Sequence, residues 1–218
     1  LASRGHEFST KTDSEVVLHS FIEWGPNCLP RFNGMWAFAI YDREARVLFC
    51  ARDRFGIKPF HYAIEPGHFA FGSEAKQLVS LPWVSRAPNL DRLADFLLWG
   101  LETHTNDTFF LGVVSLPAGH HMFVTAADVE RGQVQPARYW WPVPASEESD
   151  ATAAARFRDL LSDSVRIRLR SDVPVGVTLS GGLDSSSLAC LAGEHRRSSE
   201  RPEPLSAYNV EFQGERYS

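Results

Sequence analysis

Up to about residue 140 the apolar positions alternate in short runs, the period of half-buried strands. In "GMWAFAIYDREARVLFCARD" this predicts two strands, Met35 to Tyr41 and Val47 to Ala51, around a polar turn at Asp42 to Ala45. "FHYAIEPGHFAFG" predicts a second pair turning on Pro66-Gly67, and together these strands are expected to form an antiparallel sheet. Three segments switch to the helical period. "TDSEVVLHSFIEWG" puts Val17, Phe21 and Trp24 on one stripe, and "SEAKQLVSL" is short. "NLDRLADFLLWGL" carries Leu90, Leu93, Phe96, Leu97 and Leu101 on a stripe that must pack on something. After "YWW" the chain becomes "PVPASEESDATAAA", which suits a linker leading into a helix. This places a domain boundary near residue 145, with domains 1–145 and 146–218. Beyond it, "ARFRDLLSDSVRIRLRSDVP" keeps Phe157, Leu161, Val165 and Arg168 on one side of a helix that Pro174 stops. The strand "VGVTL", a helix from about Ser185 and the strand "LSAYNV" follow, a β-α-β unit that begins a parallel sheet.

Composition narrows the function. A chain of 218 residues, 44% hydrophobic and 22% charged, can bury a substantial core. Its net charge of -5, with no basic run longer than "HRR", argues against a nucleic-acid partner. No apolar stretch approaches the roughly 18 residues needed to span a bilayer, and "LASRGHEFST" is not built like a signal peptide, so a cytoplasmic protein is expected. Cys28, Cys50 and Cys190 lack CxxC spacing and read as small core-filling side chains, and the eight histidines suggest no metal site from protein ligands alone. Residue 1 is Leu, and "EFQGERYS" follows a strand without the covering helix an α/β unit needs, so both ends are expected to be cut.

The chemistry concentrates where "VGVTL" turns into a helix through Ser180-Gly181-Gly182-Leu183-Asp184. Backbone N–H groups at a helix N-terminus and at the C-terminal edge of a parallel strand attract anions. The glycines let a phosphate approach the backbone, and Ser180, Ser185 and Ser186 can donate further hydrogen bonds. Asp184 would repel that phosphate unless a cation lay between them, which points to Mg²⁺. The other reading makes Asp184 and the serines N-caps. The lysine of a GxxxxGK[ST] loop is absent.

"LSGGLDSS" resembles the pyrophosphate-binding loop of the N-type ATP pyrophosphatases, and "SDVPVGVTLSGGLDSS" is similar to the glutamine-hydrolysing asparagine synthetases in particular. Upstream, "RFNGMWAFAIYD", "ARDRFGIKPFHY" and "FGSEAKQL" resemble the class II glutamine amidotransferase domain that precedes this loop in that family. GMP and NAD synthetases carry a similar loop without this neighbour. The resemblance implies a partial Ntn-hydrolase αββα sandwich followed by the start of a Rossmann-like, parallel-sheet nucleotide-binding domain. It also implies a ligase that amidates aspartate through β-aspartyl-AMP with ammonia from glutamine, releasing AMP and pyrophosphate. Its substrates would be glutamine, aspartate and ATP, with Mg²⁺ as cofactor, and it leaves room for a homodimer.

Residue by residue, the resemblance implies that Ser180, Gly181, Gly182, Asp184, Ser185 and Ser186 hold pyrophosphate, with Asp184 on the metal. Thr178 and Val210 would approach adenine through backbone atoms, or else are core residues. Asp13, in "FSTKTDSEV", matches the acid that binds the α-amino group of glutamine, against the alternative of an N-cap. The family's nucleophile is a cysteine left at the N-terminus once the initiator Met is removed, its thiolate attacking the glutamine amide. None of the three cysteines lies at a chain start, so no catalytic nucleophile is expected in these residues and the chain alone is expected to be inactive. Asn33-Gly34 does not match the family's oxyanion element, which lies upstream of Leu1. Arg52, Asp53, Lys58 and Glu74 fit family motifs but are explained as well by an arginine-acid network supporting the sheet. Two other readings stand: a β-lactam synthetase-like or peptide-cyclising ligase with a different acceptor, and a non-catalytic fragment.

Overall fold

Both hairpins expected from the alternation form, shifted by a residue or two at their ends. In the computed structural model, which describes residues 1–144, 149–198 and 204–210, β1 (Ala37–Asp42) pairs antiparallel with β2 (Val47–Arg52). Their turn is closed by Asp42, whose Oδ1 accepts from the N–H groups of Glu44 and Ala45 at 2.9 Å each. β3 (His61–Glu65) pairs with β4 (His68–Gly72) across Pro66-Gly67.

The hairpins do not share a sheet, which corrects the expectation of one antiparallel sheet. With β5 (Val114–Ser115), β6 (His120–Val124) and β7 (Ala137–Arg138), the strand orders are β1-β2-β6-β7 and β4-β3-β5. The reason lies in β2, which is apolar on both faces: a strand with two buried faces must lie inside a stack of layers. Its Cys50, with Met122 and Val124 of β6, packs on Phe60, Tyr62 and Leu116 from the second sheet's side. Phe49 and Ala51 point the other way, onto Cys28 and Leu29 of a 3₁₀ segment at Gly25–Arg31 and onto Phe21 and Trp24 of α1 (Asp13–Trp24). Phe21 stacks on Phe49 with ring centroids 4.6 Å apart. Burying a side chain such as Phe49 contributes about 2–3 kcal/mol. On the far side of the second sheet, Ala63 meets Leu78 of α2 (Ala75–Leu78), Val84 and Val113. The layers are therefore helix, sheet, sheet, helix, the αββα sandwich expected of this region.

The stripe of α3 (Leu90–Trp99) does not pack as expected. Leu90 and Leu97 are 70% and 78% exposed. What this helix buries is Arg92, whose guanidinium donates to Asp95 Oδ2 at 2.8 Å and to the Glu102 carbonyl at 2.7 Å, pinning the following segment to the helix. α4 (Ala126–Arg131) carries a capping box between Thr125 and Asp128.

The chain divides into two compact units, Leu1–Val143 and Pro144–Ser218. The boundary expected near residue 145 lies outside the described residues, as does "EFQGERYS". In the second unit α5 (Asp150–Arg168) starts at the N-cap Ser149 and buries Val165, whereas Phe157, expected on the same covered side, is 67% exposed. β8 (Gly176–Thr178), α6 (Leu183–Arg197) and β9 (Ser206–Tyr208) form the predicted β-α-β unit, α6 starting two residues before the expected Ser185. The strands are parallel, with Gly176 opposite Ser206 and Thr178 opposite Tyr208. Among the described residues no helix is long and apolar enough to cross a membrane.

Candidate functional site

Asp13 is the first residue of α1, and the N-cap position belongs to Thr12. The capping role considered for Asp13 therefore falls to its neighbour, which makes no side-chain bond to the helix. Asp13 lines a cavity of about 450 Å³ together with Val17 and Leu18 of α1, Met35 and Trp36 ahead of β1, and Lys58. β1 is the outermost strand of its sheet and forms part of the wall. A carboxylate at the mouth of an apolar cavity of this size can take an ammonium group of an amino-acid-sized ligand.

The approach to α1 is tied down by a residue that the sequence reading missed. Glu15 accepts from the N–H groups of Ser9 and Thr10 at 2.8 and 2.7 Å and from their hydroxyls at 2.9 and 2.5 Å. These bonds, that of the Thr10 hydroxyl foremost, hold its carboxyl at about 2, well below the usual carboxylate range. Serine or threonine ahead of a helix with an acid at its third position is the signal that could have found it. Further back, His6 Nε2 lies 2.9 Å from Glu23, and Arg4 donates to the same carboxylate at 2.6 Å. Both bonds lower the Glu23 pKa, that of His6 more.

One wall of the cavity is set by "RDRFGIKP". The Arg52 guanidinium donates to the carbonyls of Lys58 at 2.8 Å, Leu116 at 2.8 Å and Gly56 at 2.7 Å. The Asp53 carboxylate, 1% exposed, accepts from the N–H groups of Trp36, Phe55, Ile57 and Lys58 at 3.0–3.3 Å. The expected arginine-acid network is thus corrected: each charge is spent on backbone groups, the cation on carbonyls of the loop and of Leu116, the anion on amides of the loop and of Trp36. Gly56 completes the turn at φ +65°, where a Cβ would sit 3.0 Å from Arg52 Cζ. Glu74 caps α2 in a box with Gln77 and pairs with Lys76 at 2.5 Å.

Cys28 and Cys50 are fully buried, and burial pushes their thiols up to about 11 and about 12. A thiol so placed is not a nucleophile. Cys190 is exposed. Of these three thiols, only Cys190 is expected to be modified promptly by Ellman's reagent at pH 8 in the native protein, Cys28 and Cys50 reacting only after denaturation. Prompt modification of Cys28 or Cys50, located by peptide mapping, would contradict their burial.

In the second unit the glycine turn sits at the C-terminal ends of β8 and β9, where α6 begins. Gly181 has φ +80°, and a Cβ there would meet nothing within 4 Å, so glycine is required by the backbone and the space above it is open. The cap of α6 is Gly182, with no side-chain bond. The capping role considered for Asp184 and the serines is therefore not theirs: Asp184 is the helix's second residue and exposed. Ser180 Oγ and Ser185 Oγ lie 3.1 Å apart, and Ser185 donates to the Gly182 carbonyl at 3.1 Å. Ser186 follows on the first turn, partly buried. Thr178 and Val210 are both exposed in this chain and close to the same strand ends. The structure thus gathers Ser180 to Ser186 at one edge, with Asp13 in the other unit. Among the described residues no group of three His, Cys, Asp or Glu is placed to hold a metal ion, so a cation at Asp184 would complete its shell with phosphate oxygens and water.

Comparison with known proteins gives two family matches: the glutamine amidotransferase domain over residues 1–140 and asparagine synthase over residues 156–218. Asparagine synthetase [glutamine-hydrolyzing] 3 of Bacillus subtilis (strain 168) is 35% identical over 98% of this chain and 34% of its own length. Putative asparagine synthetase [glutamine-hydrolyzing] 2 of Methanocaldococcus jannaschii is 33% identical over 95% of this chain and 39% of its own. Amidase chyE of Penicillium rubens is 30% identical over 94% and 31%. The chain spans between about three and four tenths of the length of these relatives. Among solved structures, a glutamine phosphoribosylpyrophosphate amidotransferase from B. subtilis covers 100% of this chain and 44% of its own at 15% identity and a TM-score of 0.41. Since the first family match takes in more than half of the residues, and the four layers, the Asp13 cavity and the buried Arg52–Asp53 loop all lie within it, the chain belongs to the glutamine amidotransferase domain family, here joined to an asparagine synthase segment.

Proposed function

We propose that the protein carrying this chain is a glutamine-dependent asparagine synthetase. The first domain releases ammonia from glutamine. The second activates aspartate with ATP as β-aspartyl-AMP, which ammonia converts to asparagine with loss of AMP, pyrophosphate having left at activation. The observation that carries this reading is the order of the two matches on one chain, an amidotransferase domain followed by asparagine synthase.

The residues fit their roles. Asp13 binds the glutamine ammonium group at the mouth of its cavity. The open turn at Gly181, the N–H groups at the start of α6 and the hydroxyls of Ser180, Ser185 and Ser186 hold pyrophosphate. Asp184, exposed at the same helix start, holds Mg²⁺. When bound, Mg²⁺ neutralises phosphate charge and eases departure of pyrophosphate. Thr178 and Val210 flank adenine through backbone atoms at the ends of β8 and β9, the edge at which a Rossmann-like sheet takes its nucleotide. A cytoplasmic setting belongs to the same reading.

The test is made on the full-length protein. It is expected to convert ATP to AMP and pyrophosphate only when aspartate and Mg²⁺ are present; ADP as product would overturn the reading. Asp13→Asn keeps the side chain's shape and removes the charge paired with ammonium, at a cost of about 1.5–3 kcal/mol, or roughly ten- to a hundredfold in the KM for glutamine. Ammonia-driven synthesis does not use that contact and is spared. Equal loss with both nitrogen sources would mark Asp13 as structural. The Amidase chyE relative favours a second reading, the same architecture with another acceptor. ATP cleavage that needs no aspartate would select it.

A further inference from the structure

Asp13 can serve a ligand only if the backbone ahead of α1 is fixed, and the ordinary device for fixing it is missing. Thr12, the N-cap residue, makes no side-chain bond to the helix. Glu15 takes over from the third helical position, reaching past the cap to all four donors of Ser9 and Thr10. From Thr10 the link runs on to Thr12: the two hydroxyls lie 2.9 Å apart, and the Thr12 N–H donates to Thr10 Oγ1 at 3.3 Å. Thr12 is bonded covalently to Asp13. One Glu15 oxygen takes both Ser9 donors and the other both Thr10 donors, so the two residues are held together by one carboxylate. Residues two apart on a helix point to different faces, so Glu15 reaches Asp13 through the backbone and not by direct contact.

We infer that Glu15 is a positioning residue for the glutamine site, holding residues 9–12 so that the Asp13 carboxylate stands ready at the mouth of its cavity. The inference rests on the reading of Asp13 as the partner of the glutamine ammonium group. It gives Glu15 a specific kinetic signature. A misplaced Asp13 weakens binding of glutamine in the ground state and the transition state alike, which raises KM and leaves kcat in place.

In the full-length protein, Glu15→Ala is expected to raise the KM for glutamine about tenfold, with kcat at saturating glutamine within about twofold of the parent. Ammonia-driven synthesis is expected to be unchanged. Glu15→Gln, which keeps one acceptor oxygen, and Thr10→Val, which removes one donor and leaves the carboxylate, produce smaller rises in the same parameter. These milder variants carry the test if the alanine variant folds poorly. Adding Glu15→Ala to Asp13→Asn is expected to give no further rise, because the group being positioned has already lost its charge. The inference is overturned if Asp13→Asn raises the KM while the Glu15 and Thr10 variants leave it alone. It is equally overturned if the Glu15 and Asp13 effects multiply, or if the Glu15 variants depress ammonia-driven and glutamine-driven synthesis together, the mark of general loosening. If Asp13→Asn itself leaves the KM unmoved, the reading of Asp13 fails and the inference falls with it, an outcome seen before Glu15 is touched.

Discussion

Asp184→Asn in the full-length protein is expected to lower Mg²⁺-dependent pyrophosphate release by about a hundredfold or more at subsaturating metal. The helix should not suffer, since its cap is Gly182 and Asp184 accepts no capping bond. Asparagine keeps the volume and loses the charge that lets a carboxylate share a divalent cation with phosphate oxygens. The defect is therefore expected with glutamine and with ammonia alike, and added Mg²⁺ should recover part of the rate. Pyrophosphate release measured with aspartate present, across a series of Mg²⁺ concentrations, checks this. A variant that tracks the parent throughout the series would show that Asp184 has no part in metal binding.

Asp53→Asn is expected to destabilise the protein by about 3–5 kcal/mol, because a buried carboxylate that satisfies several backbone donors is replaced by a group that can satisfy fewer of them. The carboxylate accepts from Trp36, Phe55, Ile57 and Lys58; the amide offers one oxygen and turns its own N–H donors toward the remaining ones. At roughly 2–4 °C per kcal/mol the unfolding transition should fall by about 10 °C. Asp42→Asn is the control: its carboxylate also accepts two backbone N–H groups, but it stands exposed in a hairpin turn. Its loss should cost under about 1 kcal/mol. Scanning calorimetry of the two variants separates them. Similar midpoints would mean that the buried bonds at Asp53 contribute no more than the exposed ones at Asp42.

What was legible in the sequence was local. Alternation in "AFAIYD" and "VLFCAR" announced strands, and Pro66-Gly67 announced their neighbours' turn, because side-chain period and turn chemistry are properties of adjacent residues. The β-α-β unit around "LSGGLDSS" was legible for the same reason. The separation of the hairpins into two sheets was not, since it depends on which apolar face of β2 meets which neighbour, and both faces look alike along the chain. Arg52 beside Asp53 invited a reading as ion-pair partners, while their actual partners are main-chain groups that no sequence pattern displays. The stripe of α3 misled because periodicity tells which residues share a face, and says nothing of what lies opposite. Asp13 was placed one position off the cap, within the usual uncertainty of a helix start.

The loop held by Arg52 and Asp53 is fixed almost wholly through its main chain, and this separates the shape of that loop from the identity of its side chains. Ile57, 50% exposed, lends only its backbone to the clamp, whereas the Phe55 ring also meets Trp140 edge-on at 5.1 Å. Evolution, or an engineer, can therefore rewrite position 57 without redrawing the loop that presents it. The segment is a ready-made mount for display: a rigid bend with an interchangeable tip, beside a wall of the Asp13 cavity, on which new surface chemistry can be tried at little risk to the fold.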